Sequence, residues 1–124
     1  MPSFPYRAGI VSPPPAPFVD ILIQHVLGGK SYSVKALLDT GSDMCAVPRA
    51  IAEEGRWNAW RRVRVVTPVG ISLRPLHHVA FEVFSARMPV LAVECEQDFA
   101  IIGRVVLNRF VMRLDGPGLQ IEIT

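Results

Sequence analysis

The stretch LLDTGSD, residues 37–43, is the most informative part of this chain. Its leucine pair is typical of a buried strand, and the strand runs directly into the triplet Asp39-Thr40-Gly41. A carboxylate at the end of an apolar strand is costly to bury unless it has partners, and a glycine lets a turn pass close to another backbone. About sixty residues downstream, IIGR (residues 101–104) repeats an apolar pair followed by glycine. The two segments together indicate a functional carboxylate in a tight loop.

Short apolar runs separated by turn signals fill the chain from residue 18 onward. The pattern predicts strands at 18–26, 31–38, 44–47, 62–65, 71–79, 80–84, 89–93, 99–102, 111–114 and 119–124. A short helical turn is predicted at 49–54, and the one real helix at 105–110. Many short strands with regular turns favour a closed or sandwiched all-β domain.

Composition limits the classes of function. The chain has 124 residues, which fits one domain, and half of them are hydrophobic. Its net charge of +2 implies no strong field toward nucleic acid, and the arginines at 56, 61, 62 and 64 are better explained as a solvated strand face. No apolar run is long enough to span a membrane. We therefore expect no nucleic-acid partner, no membrane span and a cytoplasmic protein, with a removed membrane anchor left open.

The N-terminal residues 1–17 hold six of the eleven prolines. Residues 13–17 should be extended polyproline or disordered, whereas residues 7–11 are free of proline and are candidates for an edge strand. A regulatory tail, a dimer-clasping arm and plain disorder all stay open. We predict a tail at 1–17 and a single domain at 18–124.

Histidines and cysteines give no metal site in the sequence. His77 and His78 are adjacent, so in a strand they point to opposite faces and cannot chelate one ion, and His25 stands alone. Cys45 and Cys95 are too few for a disulfide framework, and buried, reduced thiols are expected. We predict neither a metal nor another cofactor.

The two segments resemble the active-site loop and second signature of retropepsin-type aspartic peptidases. LLDTGSD is similar to the family segment over all seven positions, and IIGR follows at a similar distance. The turn Thr67-Pro68-Val69-Gly70 falls where the family has its flap, although viral flaps carry more glycine. The resemblance covers about residues 18–124. It implies the acid protease fold: a closed all-β barrel with one short C-terminal helix, active as a two-fold homodimer.

The resemblance also implies roles for the residues of the loop. Asp39 of each chain supplies one of two catalytic carboxylates. Thr40 bonds across the two-fold axis, and Gly41 leaves room for the partner loop and the substrate. The Ser42 hydroxyl is placed to donate to the carboxylate of Asp39, which favours the ionised form.

Further positions complete the expected site. Asp43 and Arg104 form an ion pair that ties the loop to the helix, with solvation of both as the alternative. The hairpin at residues 67–70 closes over a peptide or protein substrate, and Ile101 lines a pocket for apolar side chains. The C-terminal strand contributes Leu119, Ile121 and Ile123 to the dimer interface, because an exposed strand edge needs a partner.

Three functions follow from these observations. The first is an aspartic endopeptidase that cleaves extended, apolar-flanked segments between two Asp39 carboxylates. The second is a dimeric module with the same barrel that binds peptides with little or no cleavage. The third is an unrelated monomeric β-barrel without enzymatic activity. The intact triplet at 39–41 favours the first.

Overall fold

The structure, a computed structural model, describes residues 2–7 and 15–123. Its elements are β1 (Ser3–Pro5), β2 (Phe18–His25), β3 (Ser31–Leu38), β4 (Cys45–Pro48), α1 (Arg49–Glu54), β5 (Arg61–Thr67), β6 (Gly70–Val83), β7 (Ala86–Cys95), β8 (Ala100–Ile102), α2 (Arg104–Leu107), β9 (Met112–Asp115) and β10 (Gln120–Ile123).

Six strands close into a barrel in the order β2-β3-β8-β4-β7-β6, and β6 returns to pair with β2. Strand β5 extends the sheet on the far side of β6. Most ladders are antiparallel, but β3 with β8 and β4 with β7 are parallel. The predicted closed all-β fold is confirmed.

The barrel interior is built by strand alternation. Along β2, Val19, Ile21 and Ile23 are buried, while Asp20 and Leu22 between them are exposed. Inward-facing residues of the other barrel strands join these three in the main core, and Ala46, Leu76, Val93 and Cys95 form a second, smaller buried cluster. Each fully buried aliphatic or aromatic side chain contributes about 1.5–3 kcal/mol of transfer free energy. The two strands that carry the quoted motifs, β3 and β8, lie side by side through this core.

The hairpin of β5 and β6 extends beyond the barrel. Thr67 pairs with Gly70, so Pro68 and Val69 form the two-residue turn, where the sequence predicts one. β6 is a single strand of 14 residues rather than the two predicted strands, although Pro75 lies inside it. At Pro75, β6 pairs only with β5, and pairing with β7 begins at the next residue. A residue without an N–H is tolerated at such an unpaired edge.

The C-terminal strand differs from expectation. β10 is the central strand of a three-stranded sheet with β1 on one side and β9 on the other. The predicted open edge is therefore wrong, because both edges are occupied within one chain. Ile121 and Ile123 face inward and are 0% and 5% exposed, whereas Leu119 is 43% exposed.

The helices and the N-terminal segment also differ in detail. Among the described residues there are two short helices: α1 is a six-residue helix, and α2 spans residues 104–107 instead of the predicted 105–110. α2 ends early because the N–H groups of Arg109 and Phe110 bond to carbonyls three residues back, which tightens the chain into a turn.

The prolines of residues 1–17 do not keep the whole segment out of the fold, since residues 3–5 pair with β10 and Arg7 forms an isolated bridge to Ala16. Residues 8–14 lie outside the described residues, and with them most of the edge strand predicted at 7–11 and part of the polyproline predicted at 13–17. Within residues 2–7 and 15–123, no helix combines the length and apolarity needed to cross a membrane. The boundary at residue 17 stays a prediction.

Candidate active site

The loop after β3 is anchored to β8. Leu37 and Leu38 pair in parallel with Ile101 and Ile102, and the Asp39 N–H donates to the carbonyl of Ile102 at 3.0 Å. The leucine pair and the isoleucine pair of the two motifs are thus neighbouring strands. Asp39 begins the loop at the point where both strands end.

Both oxygens of the Asp39 carboxylate accept hydrogen bonds from its own loop. The Gly41 N–H donates to Oδ1 at 2.9 Å, and the Ser42 hydroxyl donates to Oδ2 at 2.7 Å. The Asp39 side chain is half-buried, while Thr40 and Gly41 are exposed. The carboxylate is therefore held in one orientation at the protein surface, beside two residues that a second molecule can reach.

Gly103 brings the second motif under the loop. A Cβ placed on Gly103 would lie 2.3 Å from the Met44 carbonyl oxygen and 2.9 Å from that of Ser42. The following N–H, of Arg104, donates to the Ser42 carbonyl at 2.8 Å. Because a side chain at position 103 would collide with backbone, the glycine is needed for the two motifs to cross.

Arg104 clamps the loop from the helix side. Its guanidinium donates to the Asp43 carboxylate and, at 2.9 Å, to the Thr40 carbonyl. The predicted ion pair is present in the structure. Asp43 is 81% and Arg104 46% exposed in their side chains, so the pair adds little stability through charge alone. Its two contacts fix the backbone on both sides of Gly41.

One face of the sheet continues from the loop toward the hairpin. On this face, a row of directly paired residues crosses the strands in the order β3, β8, β4, β7 and β6. Its members, one from each strand in that order, are Leu37, Ile101, Ala46, Val93 and Leu76. Ala46, Val93 and Leu76 of this row are buried together with Cys95, and Val63, Val65 and the half-buried Ile101 pack against them. The row gives the face beside Asp39 an apolar floor on which Ile101 lies, and the role of Ile101 as a pocket wall stays a prediction.

Comparison with solved structures gives a consistent result. The chain is similar to EIAV protease complexed with the inhibitor HBY-793, with a TM-score of 0.61 and 18% identity over 76% of this chain and 86% of that one. It is similar to simian foamy virus (mac) protease, with a TM-score of 0.54 and 14% identity over 73% and 92% of the two chains. The chain has a retropepsin-like fold. A foamy viral protease-reverse transcriptase in complex with RNA/DNA hybrid matches with a TM-score of 0.58 and 14% identity over 76% of this chain and 12% of that one.

No protein-family model matches the sequence, and no curated protein matches it significantly. At identities of 14–18%, the structural likeness establishes the fold alone.

In this retropepsin-like fold, the β5–β6 hairpin projects apolar side chains into solvent. Val69 at its tip is 98% exposed, and Val66, Ile71 and Leu73 are also largely exposed. The Thr67 hydroxyl donates to the Gly70 carbonyl at 3.1 Å and closes the turn. The position is that of the predicted flap; its closure over a substrate stays a proposal.

Sequence reasoning missed Arg74 as a residue of the apolar face. Arg74 shares its strand face with Ser72 and Leu76, and its guanidinium donates to the Ser72 hydroxyl and the Glu94 carbonyl. The sequence could have predicted this, because period-two alternation through the predicted strand 71–79 places Ser72, Arg74 and Leu76 on one side. Arg74 therefore puts a positive charge at the edge of the apolar floor.

The histidines lie on β2 and β6, and the cysteines lie on β4 and β7. His77 is buried and bonded through Nε2 to Glu94 at 2.7 Å, whereas His78 is exposed and packs on Trp60. Within the part of the chain that the structure describes, no group of three His, Cys, Asp or Glu side chains is arranged to hold a metal ion. Cys45 and Cys95 are buried and free, and burial raises the pKa of the Cys45 thiol to about 11.

Proposed function

We propose that this protein is an aspartic endopeptidase whose active site forms when two copies meet. The observation that carries the proposal is the Asp39 carboxylate, which is oriented by two loop donors beside the exposed Thr40 and Gly41 in a retropepsin-like fold. One carboxylate cannot be both base and acid at the same pH. The second acid is Asp39 of the partner subunit.

Hydrolysis of a peptide bond needs a base for the attacking water and an acid for the carbonyl oxygen. Two adjacent carboxylates cannot both ionise easily, so the pair shares one proton. The ionised Asp39 takes a proton from water while the water oxygen bonds to the scissile carbon. The protonated Asp39 gives its proton to the carbonyl oxygen. The resulting tetrahedral diol collapses when the newly protonated Asp39 gives its proton to the leaving amine nitrogen, the other Asp39 takes a proton from a diol hydroxyl, and the C–N bond breaks.

The two-fold arrangement assigns roles to the exposed part of the loop. Thr40 bonds to the partner loop and keeps the two carboxylates coplanar, and Gly41 leaves space for that approach. Arg104 supports both residues through its contacts with Asp43 and the Thr40 carbonyl. Of the C-terminal residues predicted for the interface, Leu119 offers an exposed side chain, while Ile121 and Ile123 support the sheet from inside.

The substrate is an extended peptide bound as an added strand. Backbone hydrogen bonds supply affinity in this mode, and alternate side chains enter pockets. The apolar floor around Ile101 favours bulky apolar side chains next to the cleaved bond. The hairpin at residues 67–70 acts as the flap that covers the peptide.

The test is a paired cleavage assay on an unfolded protein between pH 4 and 7, with products identified by mass spectrometry. We expect cleavage by the wild type and by Asp98→Asn, a control in an exposed loop, and none by Asp39→Asn. Binding of peptides without cleavage by any variant would favour the dimeric binding module instead. Equal cleavage by wild type and Asp39→Asn would overturn the proposal.

A further inference from the structure

A concave site lies away from the loop of Asp39. It is a cavity of about 660 Å³ between the β2–β3 turn, the end of α1 and the base of the β5–β6 hairpin. Its lining includes the aromatic side chains of Tyr32, Trp57 and Trp60 and the imidazoles of His25 and His78. No residue of the loop 39–43 borders it. A concave site with aromatic walls and a few polar groups is typical of small-molecule binding.

The end of α1 is shaped to place Trp57 in the wall. The backbone N–H of Trp57 donates to the Ala52 carbonyl, and the backbone N–H of Arg56 donates to the Glu53 carbonyl. These two bonds form the Schellman pattern. Arg56 holds the left-handed position at φ 53°, where glycine is usual. A Cβ on the preceding Gly55 would lie 2.4 Å from the Trp57 indole nitrogen. Gly55 is therefore needed for the indole to fold back against the helix end.

The aromatic rings surround the cavity on several sides. The Trp57 ring lies 6.1 Å from that of Tyr32 and 5.6 Å from that of His25, and the Trp60 ring lies 5.0 Å from that of His78. Burial, with repulsion from the two neighbouring histidines, lowers the pKa of His25. His25 is thus uncharged at neutral pH, so the interior presents aromatic surface.

Positive charge lies at the rim of the cavity. Lys30 Nζ stands 5.2 Å from the centre of the Tyr32 ring, and Arg56 also lines the opening. The one carboxylate of the lining, Glu54, approaches Lys30 at 3.4 Å, and both side chains are exposed. The lining lysine and arginine outnumber the single acid, so the rim has a net positive charge.

We propose that this cavity binds a small planar aromatic anion, with its rings against Trp57 and Tyr32 and its acidic group toward Lys30 and Arg56. An aromatic ligand matches the ring faces, and the anionic group meets the excess positive charge at the rim. The proposal does not depend on catalysis, because the cavity shares no residue with the loop of Asp39.

The test uses 1-anilinonaphthalene-8-sulfonate, an aromatic sulfonate that fluoresces when bound. Both tryptophans of the chain border the cavity, so excitation of tryptophan reports on a probe bound there by energy transfer. We expect saturation at one probe per chain. Lys30→Gln should raise Kd about fivefold, equivalent to ~1 kcal/mol for an exposed charge pair. The other lysine is the matched control: Lys35 pairs with Asp20 outside the cavity, so Lys35→Gln should leave Kd unchanged.

Three further comparisons complete the test: a second probe and two more variants. N-phenyl-1-naphthylamine has the same rings without the sulfonate, so it should bind more weakly and be insensitive to Lys30→Gln. Tyr32→Ser should weaken both probes, and Asp39→Asn should weaken neither, even where it abolishes cleavage. No saturable binding to the wild type, or equal effects of the two lysine variants, would overturn the proposal whether or not the protein is a peptidase.

Discussion

Gly103→Ala tests the crossing of the two motifs. The added Cβ would lie 2.3 Å from the Met44 carbonyl oxygen and 2.7 Å from its carbon. Carbon atoms in contact prefer separations near 3.5–4.0 Å, so the two backbones must part by about 1 Å. The glycine has φ −89° and ψ −177°, which alanine adopts freely, so the whole effect comes from this contact. The neighbours are backbone atoms and cannot swing aside.

The displacement reaches the Asp39 loop directly, because residues 42–44 carry the contact and the Ser42 hydroxyl holds Asp39. Overpacking of this kind costs about 1–3 kcal/mol of unfolding free energy. A shift of about 1 Å in a reacting group lowers the rate about 100-fold. We therefore expect Gly103→Ala to lose about 2 kcal/mol in urea unfolding and about 100-fold in kcat/KM on a peptide substrate.

Gly116→Ala is the matched control. Its added Cβ meets nothing within 4 Å and its φ is not positive, so stability and activity should stay at the wild-type level. Wild-type stability in Gly103→Ala would show that the motifs do not cross as described. If Gly103→Ala loses stability but keeps full peptidase activity, activity does not depend on how the two motifs cross. That result would refute the role given to the loop.

Three other predictions concern charge and burial. In Ser42→Ala, the acid limb of the activity profile should move to higher pH, because the hydroxyl that stabilises the ionised carboxylate is gone; an unmoved limb would refute that role. The pKa of Asp20 lies below 3.8, and the hydrogen bond from Lys35 makes the largest contribution to this lowering. Asp20→Asn should therefore lower the free energy of unfolding by less than ~1 kcal/mol at pH 7, as expected for an exposed pair. In urea unfolding, the difference between wild type and variant should vanish as the pH falls below 3.8 and through the lowered pKa of Asp20. Cys45 and Cys95, both buried, should react with a thiol reagent at pH 8 only after unfolding; rapid labelling of the folded protein would contradict their burial.

Local sequence determined much of the fold. Period-two alternation and turn residues located most of the strands, and the hairpin turn at residues 67–70 lies where the sequence predicts it. The hydrogen bond from Ser42 to Asp39 was predicted from the sequence, and the ion pair of Arg104 with Asp43 was implied by the resemblance of the two motifs to the retropepsin family. These features depend on neighbours in sequence or on one pairing of two strands.

The missed features depend on distant partners or on backbone geometry. The alternation at 119–123 predicts a strand, but nothing local shows that residues 3–5, on the far side of a proline-rich stretch, occupy its edge. The sequence predicts two strands, at 71–79 and 80–84, and their union into one strand follows only from the pairing of β6 with β5 along its first half and with β7 along its second. The cavity beside Trp57 needs a left-handed Arg56, and arginine gives no sign of that conformation.

The most direct test of the central claim is activity in mixtures of wild-type and Asp39→Asn chains that are co-refolded so that subunits mix at random. If each active site needs one carboxylate from each of two chains, cleavage falls with the square of the wild-type fraction, and equal amounts retain about a quarter of the activity at constant total protein. If one chain is sufficient, equal amounts retain about half. A linear dependence on the wild-type fraction would contradict the shared active site.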